Sequence, residues 1–293
     1  MRLVRATYAR RLGLFDGTFA RDRRDLGAGI FLNSAKRSPP GRDNIVIMAA
    51  MRRALVLVVL LGAAPAVPAD EKANAIADEM LQALGGRESW DRARFLRFIF
   101  VRQGRRLNIT WDRESGRYRL EAMNDSGVPY VVVMNLTTRQ GRAAVEGRPL
   151  DGAELSEYLT LASRIWAGET YWLLAPYKIR DPGAVLTYEG EETVGGTIQD
   201  RLHLRFENVG LTPGDQFWLY VNRKTRLLDR WRFRLQGGTE GDYRWRGWER
   251  FGGILLATER LGANGDRILF EGIIVTDSLP DEVFTSLAPL APR

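Results

Sequence analysis

From Arg94 onward, apolar side chains return at every second position. Leu96, Phe98 and Phe100 alternate with Arg97, Ile99 and Val101, and Leu107, Ile109 and Trp111 with Arg106, Asn108, Thr110 and Asp112. Tyr118, Leu120 and Ala122 alternate with Arg117, Arg119 and Glu121. A period of two predicts strands with one apolar and one polar face. The residues between the runs, Gln103-Gly104, Arg113-Glu114-Ser115-Gly116 and Asn124-Asp125-Ser126-Gly127, suit hairpin turns. Further strands are predicted at 128–136, 142–147, 184–191, 198–207, 216–222, 227–236, 243–251, 254–261 and 267–276, with glycine pairs and Asn264-Gly265 at their turns.

Two stretches break this rhythm. In 70–84, Ala73, Ile76, Ala77, Met80, Leu81 and Leu84 share one helical face, and Gly85-Gly86 ends it. Trp90 is expected in a short connecting turn. Near the middle, Leu155, Tyr158, Leu159, Ala162, Ile165, Trp166, Trp172 and Leu173 recur at helical spacing. Asp151 and Glu154 have the spacing of a capping box, Gly168 is expected to divide the segment into two helices, and Pro176 to close it. An amphipathic sheet of this size must cover its apolar face and does not stay flat. The expected fold is therefore mainly β with helices (α+β). It is a strongly curved antiparallel half-barrel of about 11–12 strands, with the helices on its concave face. Arg117, Arg119, Arg201, Arg205, Arg230, Arg232 and Arg234 hold the opposite parity and are expected in water.

Residues 51–69, MRRALVLVVLLGAAPAVPA, have another character: two arginines, an apolar run, then small residues with prolines. That is the layout of a cleaved secretory signal, and its apolar run is shorter than the roughly 20 residues that span a bilayer. The chain is accordingly divided into an extension at 1–47, a signal peptide at 48–69 and one domain at 70–293. The extension is read as an upstream stretch outside the working protein, the alternative being a disordered tail. A periplasmic location follows from the signal.

The formal charge of +7 changes meaning under this division. Residues 1–69 hold 12 of the 43 Lys+Arg and 4 of the 36 Asp+Glu, so residues 70–293 hold 31 and 32 and carry −1. No basic domain remains to neutralise phosphates, which argues against nucleic acid. With no cysteine there is no disulfide, thiolate or lipidated cysteine, and metal sites built on Cys/His clusters are excluded by number. An all-oxygen metal site is not excluded, but no metal or cofactor is expected. The one histidine, His203, shares the parity of Arg201 and Arg205 and is read as a solvated residue. Glu189, Glu191 and Glu192 are read as a solvated strand end in preference to an acid/base group.

The order of signal, first helix, five strands, helical insertion ending in Trp172-Leu173-Leu174-Ala175-Pro176, and further strands with Phe217-Trp218-Leu219-Tyr220-Val221-Asn222-Arg223-Lys224-Thr225 resembles the periplasmic lipoprotein-sorting carriers and receptors, LolA/LolB-like proteins. The resemblance implies a half-open barrel lidded by helices around a cavity for acyl chains. Lacking the receptor's lipidated cysteine, the chain is nearer the soluble carriers. The functional expectation is a non-enzymatic carrier or chaperone binding the acyl chains of a lipid or lipoprotein, with transient contact to envelope membrane proteins. Its expected ligand-binding residues are Ile109, Trp111, Leu120, Trp166, Trp172, Leu204, Phe206, Trp231, Phe233 and Trp245. The alternatives are an envelope interaction module whose core is filled by side chains and, behind it, a hydrolase.

A chain begun at Met48 or Met51 is expected to be exported and active, and N-terminal sequencing of the mature protein should find Asp70 or a close neighbour. Recovery of residues 1–47 on the mature protein would overturn this division.

Overall fold

The computed structural model describes residues 70–206 and 214–290. The signal and extension lie outside the described residues, as does Glu207 at the end of one predicted strand. The elements run α1 (Glu71–Ala83), α2 (Gly86–Arg92), β1 (Phe95–Arg102), β2 (Arg105–Asp112), β3 (Arg117–Met123), β4 (Pro129–Asn135), β5 (Gly141–Val145) and β6 (Arg148–Pro149). Then come α3 (Gly152–Lys178), β7 (Ala184–Val194), β8 (Thr197–Phe206), β9 (Gln216–Asn222), β10 (Leu228–Arg234), β11 (Glu240–Phe251), β12 (Ile254–Gly262), β13 (Arg267–Thr276) and α4 (Glu282–Thr285). The thirteen strands form one antiparallel sheet in the order β6-β5-β4-β3-β2-β1-β13-β12-β11-β10-β9-β8-β7. The strand beyond the expected number is the two-residue β6. Trp90, expected in a turn, lies in α2.

Strand parity places the core. Phe98, Ile109, Leu120, Val132 and Ala143 sit opposite one another across β1 to β5, and all are buried. Leu202, Leu219, Trp231 and Tyr243 form the equivalent row across β8 to β11. At the start of α1, Asp70 Oδ1 accepts from the Ala73 N–H at 2.9 Å and Oδ2 from the Tyr188 N–H of β7 at 2.6 Å. One carboxylate thus caps the helix and ties it to an edge strand. Gly85 ends α1 at φ +121°, where a Cβ would stand 2.5 Å from the Gly253 carbonyl oxygen, so only glycine fits.

The sheet is bent around α3. Trp166 meets Trp111 of β2 at 5.4 Å between ring centroids, and Tyr171 meets Phe217 of β9 at 5.5 Å. Five helical residues advance about 7.5 Å. In a flat sheet β2 and β9, six strands apart, would be separated by about 29 Å. Both contacts exist only because the two halves of the sheet curl toward a common axis.

α3 departs from expectation in three ways. It runs unbroken through Gly168, includes Pro176 and ends at Lys178. The seat on the sheet holds it together past the two residues that isolated propensity would make breakers. Asp151 makes no side-chain cap, and Glu154 instead pairs with Arg148 at 3.1 Å.

The proline leaves a debt in the backbone. Having no N–H, Pro176 cannot bond the carbonyl of Trp172 four residues earlier. Arg260 of β12 does so from the sheet, donating from Nη2 at 2.7 Å and Nε at 3.1 Å to the Trp172 oxygen. Its Nη1 donates to the carbonyls of Ala257 and Glu259 at 3.0 and 3.1 Å. The guanidinium is 0% exposed and lies over the rings of Trp245 and Phe270, 3.5 and 5.0 Å from their centroids. Burial pulls its pKa well below the usual arginine range. Four carbonyl bonds and two aromatic faces replace its lost water.

The outer face of the sheet is drier than its arginines suggest. Arg119 is 1% exposed, because the segment after β13 crosses it. Its Nη1 donates to the carbonyls of Val283 and Ser286 at 3.2 and 2.6 Å, its Nη2 to that of Ala288 at 2.5 Å, and Glu121 accepts from its Nε at 2.6 Å. Asp112 is also buried there, held by Arg94, Arg117 and Ser115, and these partners keep its carboxyl well below the usual range despite burial. The strap has no strong period of its own, so parity alone assigned Arg119 to water.

Replacing Arg260 with Met should cost about 3 kcal/mol, since it strips the Trp172 carbonyl of its donors. Adding Pro176→Ala restores a helix N–H to that carbonyl and should recover about 1 kcal/mol more in the Arg260 variant than in the parent chain. Urea denaturation of the four proteins measures this coupling; strict additivity would show that the guanidinium does not serve the proline's orphan.

Candidate functional site

The two halves of α3 are seated differently. Within 152–168 only Ala162 and Ile165 are buried, while Leu155, Tyr158, Leu159 and Trp166 are half-buried. This half rests on β2 to β5 through Trp166 on Trp111, Tyr158 on Tyr130 at 5.1 Å and Ser163 against Met134 at 3.8 Å. Beneath it lies the apolar floor of Ile109, Leu120, Val132, Met134 and Ala143. The contacts are almost wholly non-directional.

The second half is locked. Trp172 packs edge-on against Trp231 at 4.7 Å and Tyr243 at 4.8 Å, and Trp231 against Trp245 at 5.4 Å. Tyr171 meets Phe206 at 6.1 Å, and Phe233 lies 5.8 Å from Trp172. The Tyr177 hydroxyl is 2.9 Å from the carbonyl oxygens of both Leu84 and Leu255 and accepts from the Leu255 N–H at 3.1 Å. Its ring stacks on Trp90 at 4.3 Å, and Arg113 covers the Trp90 ring at 3.5 Å.

The residues expected to bind ligand therefore fall into two groups. Ile109, Trp111 and Leu120 lie with Trp166 under the loose half. Leu204, Phe206, Trp231, Phe233 and Trp245 lie with Trp172 in the aromatic seam, where they fill the concave face themselves. A cavity of about 1250 Å³ opens beside the first group, at the β1–β2 and β3–β4 hairpins. None of the ten residues lines it. It turns over the sheet's rim: Ile99, Met123, Val131 and Ile274 line it from the outer face, with Leu290 of the strap, while Phe100, Ala122, Tyr130 and Glu169 line it from the inner. Met123 is 64% exposed. Tyr130, which lines the cavity, also packs against Tyr158 of α3.

The mouth holds a polar group to which the aromatic parity of the strands gives no pointer. Glu169 is 4% exposed; its Oε1 is 3.4 Å from Arg105 Nη1 and its Oε2 has no hydrogen-bond partner. The Tyr118 hydroxyl, fully buried, also lacks one. Burial pushes the Glu169 carboxyl up to about 7, against the opposing pull of Arg105 and Arg102. The pattern did contain a signal: Glu169 lies four residues after Ile165 and three before Trp172, on the buried stripe of the helix.

On the outer face of the other half-sheet, a cleft of about 460 Å³ is lined by Trp218, Tyr220, Arg201, Arg232, Asp242 and Phe233 among others. His203 keeps its expected parity but is not fully solvated. It stacks on Trp218 at 5.0 Å and lies 3.4 Å from Glu189, and burial lowers its pKa. Glu191 and Glu189 pair with Arg223 and Arg201. Among the described residues no acidic or histidine cluster has the geometry of a metal site, and no helix is long and apolar enough to cross a membrane.

An open antiparallel sheet curled around one long helix is thus the class of architecture. Similar solved structures include a DUF1329 family protein from Desulfovibrio piger, at 14% identity over 74% of this chain and 98% of that one, with a TM-score of 0.42. A putative outer membrane lipoprotein-sorting protein domain from Vibrio parahaemolyticus has 9% identity over 73% and 96%, TM-score 0.41. A LolA superfamily protein from Nitrosomonas europaea has 12% identity over 72% and 97%, also at 0.41. No protein-family model matches the chain, and no curated protein matches it in sequence. The grouping that the element order resembles recurs among these structures.

Folded Glu169 keeps its proton to about pH 7, while the unfolded side chain releases it near 4.5. In that window the folded chain binds more protons, so this group's contribution to stability falls as pH rises from about 4.5 to about 7. Glu169→Gln should flatten the profile and, by about pH 8, be more stable than the parent by up to about 3 kcal/mol. Denaturation at acidic and alkaline pH tests this; equal slopes in both proteins would refute it.

Proposed function

We propose that this chain is a non-enzymatic envelope carrier or chaperone, periplasmic once its signal is removed, that shelters the acyl chain of a lipid or lipoprotein. The observation that carries the reading is the unequal seating of α3. The half at 169–178 is fixed by the aromatic seam, the Arg260 bonds and the Tyr177 hydroxyl. The half at 152–168 rests on an apolar floor by contacts that another apolar body can replace. Each sheltered methylene contributes about 0.8 kcal/mol, so eight give about 6 kcal/mol toward lifting that half. The adjoining cavity exceeds the ~300–1,000 Å³ common for small-molecule sites and supplies an entrance.

The rival reading, an interaction module with a filled core, draws on the aromatic seam, where Leu204, Trp231, Phe233 and Trp245 are buried against one another and α3. The two readings part on ligand content. Denaturing mass spectrometry of protein purified from the envelope should find a co-purifying acyl compound, and a fluorescent fatty-acyl probe should bind with little dependence on salt. Absence of both would favour the rival.

The chain has no cysteine, which permits a clean lock. Ser163→Cys with Met134→Cys, joined on oxidation through a short dithiol linker that spans the reach of the Met134 side chain, should pin the loose half to β4. Probe binding is expected to fall at least tenfold on oxidation and to recover on reduction. Undiminished binding in the locked protein would place the ligand elsewhere.

A further inference from the structure

The cleft on the outer face of the β7–β13 half-sheet shares no lining residue with the cavity beside α3. We propose that this cleft binds an uncharged saccharide, one or two sugar rings of a glycan, seated on the indole of Trp218. Its volume of about 460 Å³ lies toward the lower end of the ~300–1,000 Å³ common for small-molecule sites, which suits a short saccharide. Neither the lid nor an acyl chain enters into this binding, so the carrier reading stands or falls separately.

Strand register gathers the side chains. Trp218 of β9 stands opposite Arg232 of β10, and Arg232 opposite Asp242 of β11. Two residues along, on the same face, Arg234 stands opposite Glu240. Adjacent strands lie about 4.8 Å apart and same-face neighbours about 7 Å, so all five fall in a patch roughly 10 Å by 7 Å. They are within reach of a ligand: Trp218 lines the cleft half-buried, and Arg232, Arg234 and Glu240 keep more than half of their side-chain surface exposed. His203 braces the indole from the β8 side, 5.0 Å away and parallel to it within 3°, and is itself 3.4 Å from Glu189. Among the described residues no other ring or guanidinium stacks on Trp218, so the face turned away from His203 is free of both.

Charge narrows the ligand. Three arginines and three carboxylates line the cleft, and they are matched: Arg201 with Glu189 at 3.2 Å, Arg234 with Glu240 at 2.7 Å and Arg232 with Asp242 at 3.9 Å. An anion or a cation is therefore attracted by one partner and repelled by the other. A paired guanidinium still has N–H groups to donate, and a paired carboxylate has lone pairs to accept. A hydroxyl does both, so neighbouring hydroxyls on one ring can answer such a pair without disturbing its charge balance. The electron-rich indole face takes the polarised C–H face of the same ring. β9, β10 and β11 are each paired on both sides, so the cleft floor offers no free backbone edge to an extended peptide.

The chain's eight tryptophans make fluorine NMR of 5-fluorotryptophan-labelled protein a residue-resolved test, with the Trp218 signal assigned by Trp218→Phe. Maltose, cellobiose and diacetylchitobiose are titrated separately, beside adenosine as a flat uncharged heterocycle and a Glu-Lys-Glu-Lys tetrapeptide as a ligand of mixed charge. At least one disaccharide should shift the Trp218 signal, with a Kd below about 10 mM and little dependence on salt. Calorimetry with that disaccharide should show at least tenfold weaker binding to Trp218→Ala. Glu240→Ala, at an exposed position that leaves the core intact, should weaken it about fivefold. If no disaccharide moves the Trp218 signal, or affinity is unchanged in either variant, the saccharide site is refuted. It is equally refuted if adenosine or the tetrapeptide moves that signal at lower concentration than any disaccharide.

Discussion

Within α3, ahead of its last turn, Pro176 leaves the Trp172 carbonyl without its helical donor, and the architecture turns on how that carbonyl is met. Pro176 removes the N–H due to Trp172, and Arg260 supplies two donors from the middle of the sheet. A buried guanidinium with carbonyls for partners would be an expensive way to join two elements if either group could be satisfied alone. Neither can. The helix needs the donor and the arginine needs the acceptors, so the two are fixed against each other in direction as well as distance. Apolar packing alone would fix neither.

That fixed point divides the helix. Toward its C-terminus, Tyr177 reaches the backbone of both α1's end and β12, and the aromatic seam closes around Trp172. Toward its N-terminus apolar contact with the sheet predominates, and Glu154 pairs with Arg148 near the helix start. Glu169 stands at the boundary, a carboxyl whose burial is offset on one oxygen only. The site proposed for a ligand is therefore placed by the lock beside it: a lid must be free at one end and held at the other.

Much of this was legible in the residues. The alternation of Leu107, Ile109 and Trp111, or of Tyr118, Leu120 and Ala122, marks strands because a residue facing the core has no polar substitute that burial tolerates. The helical spacing around Leu159 and Trp166 was equally plain. The failures share a cause, in that local pattern carries no tertiary partners. Gly168 and Pro176 read as breaks because propensity ignores the sheet that supports them. Arg119 read as solvated because nothing in its strand announces a strap arriving more than 160 residues later. Arg260 has the parity of Ile254 and Leu256, and Glu169 lies on the apolar stripe of its helix. Each was a polar residue at a core position, and such exceptions to a pattern are where chemistry collects.

The sheet order has a consequence for how the molecule comes into being. β1 and β13 lie side by side at its centre, Phe95 opposite Thr276 and Phe100 opposite Phe270, while the two edges are strands that follow each other through α3. A chain emerging from its N-terminus can make β1 to β5 early, and β7 to β12 later, but each half-sheet keeps a raw inner edge until the last strand arrives. Such long-range pairing slows folding and leaves strand edges open to other chains meanwhile. The seam between the halves is the last to close, and it is closed by β13, the latest of the described strands in the sequence. Loss of a few residues there would open the molecule at its centre, not at its margin.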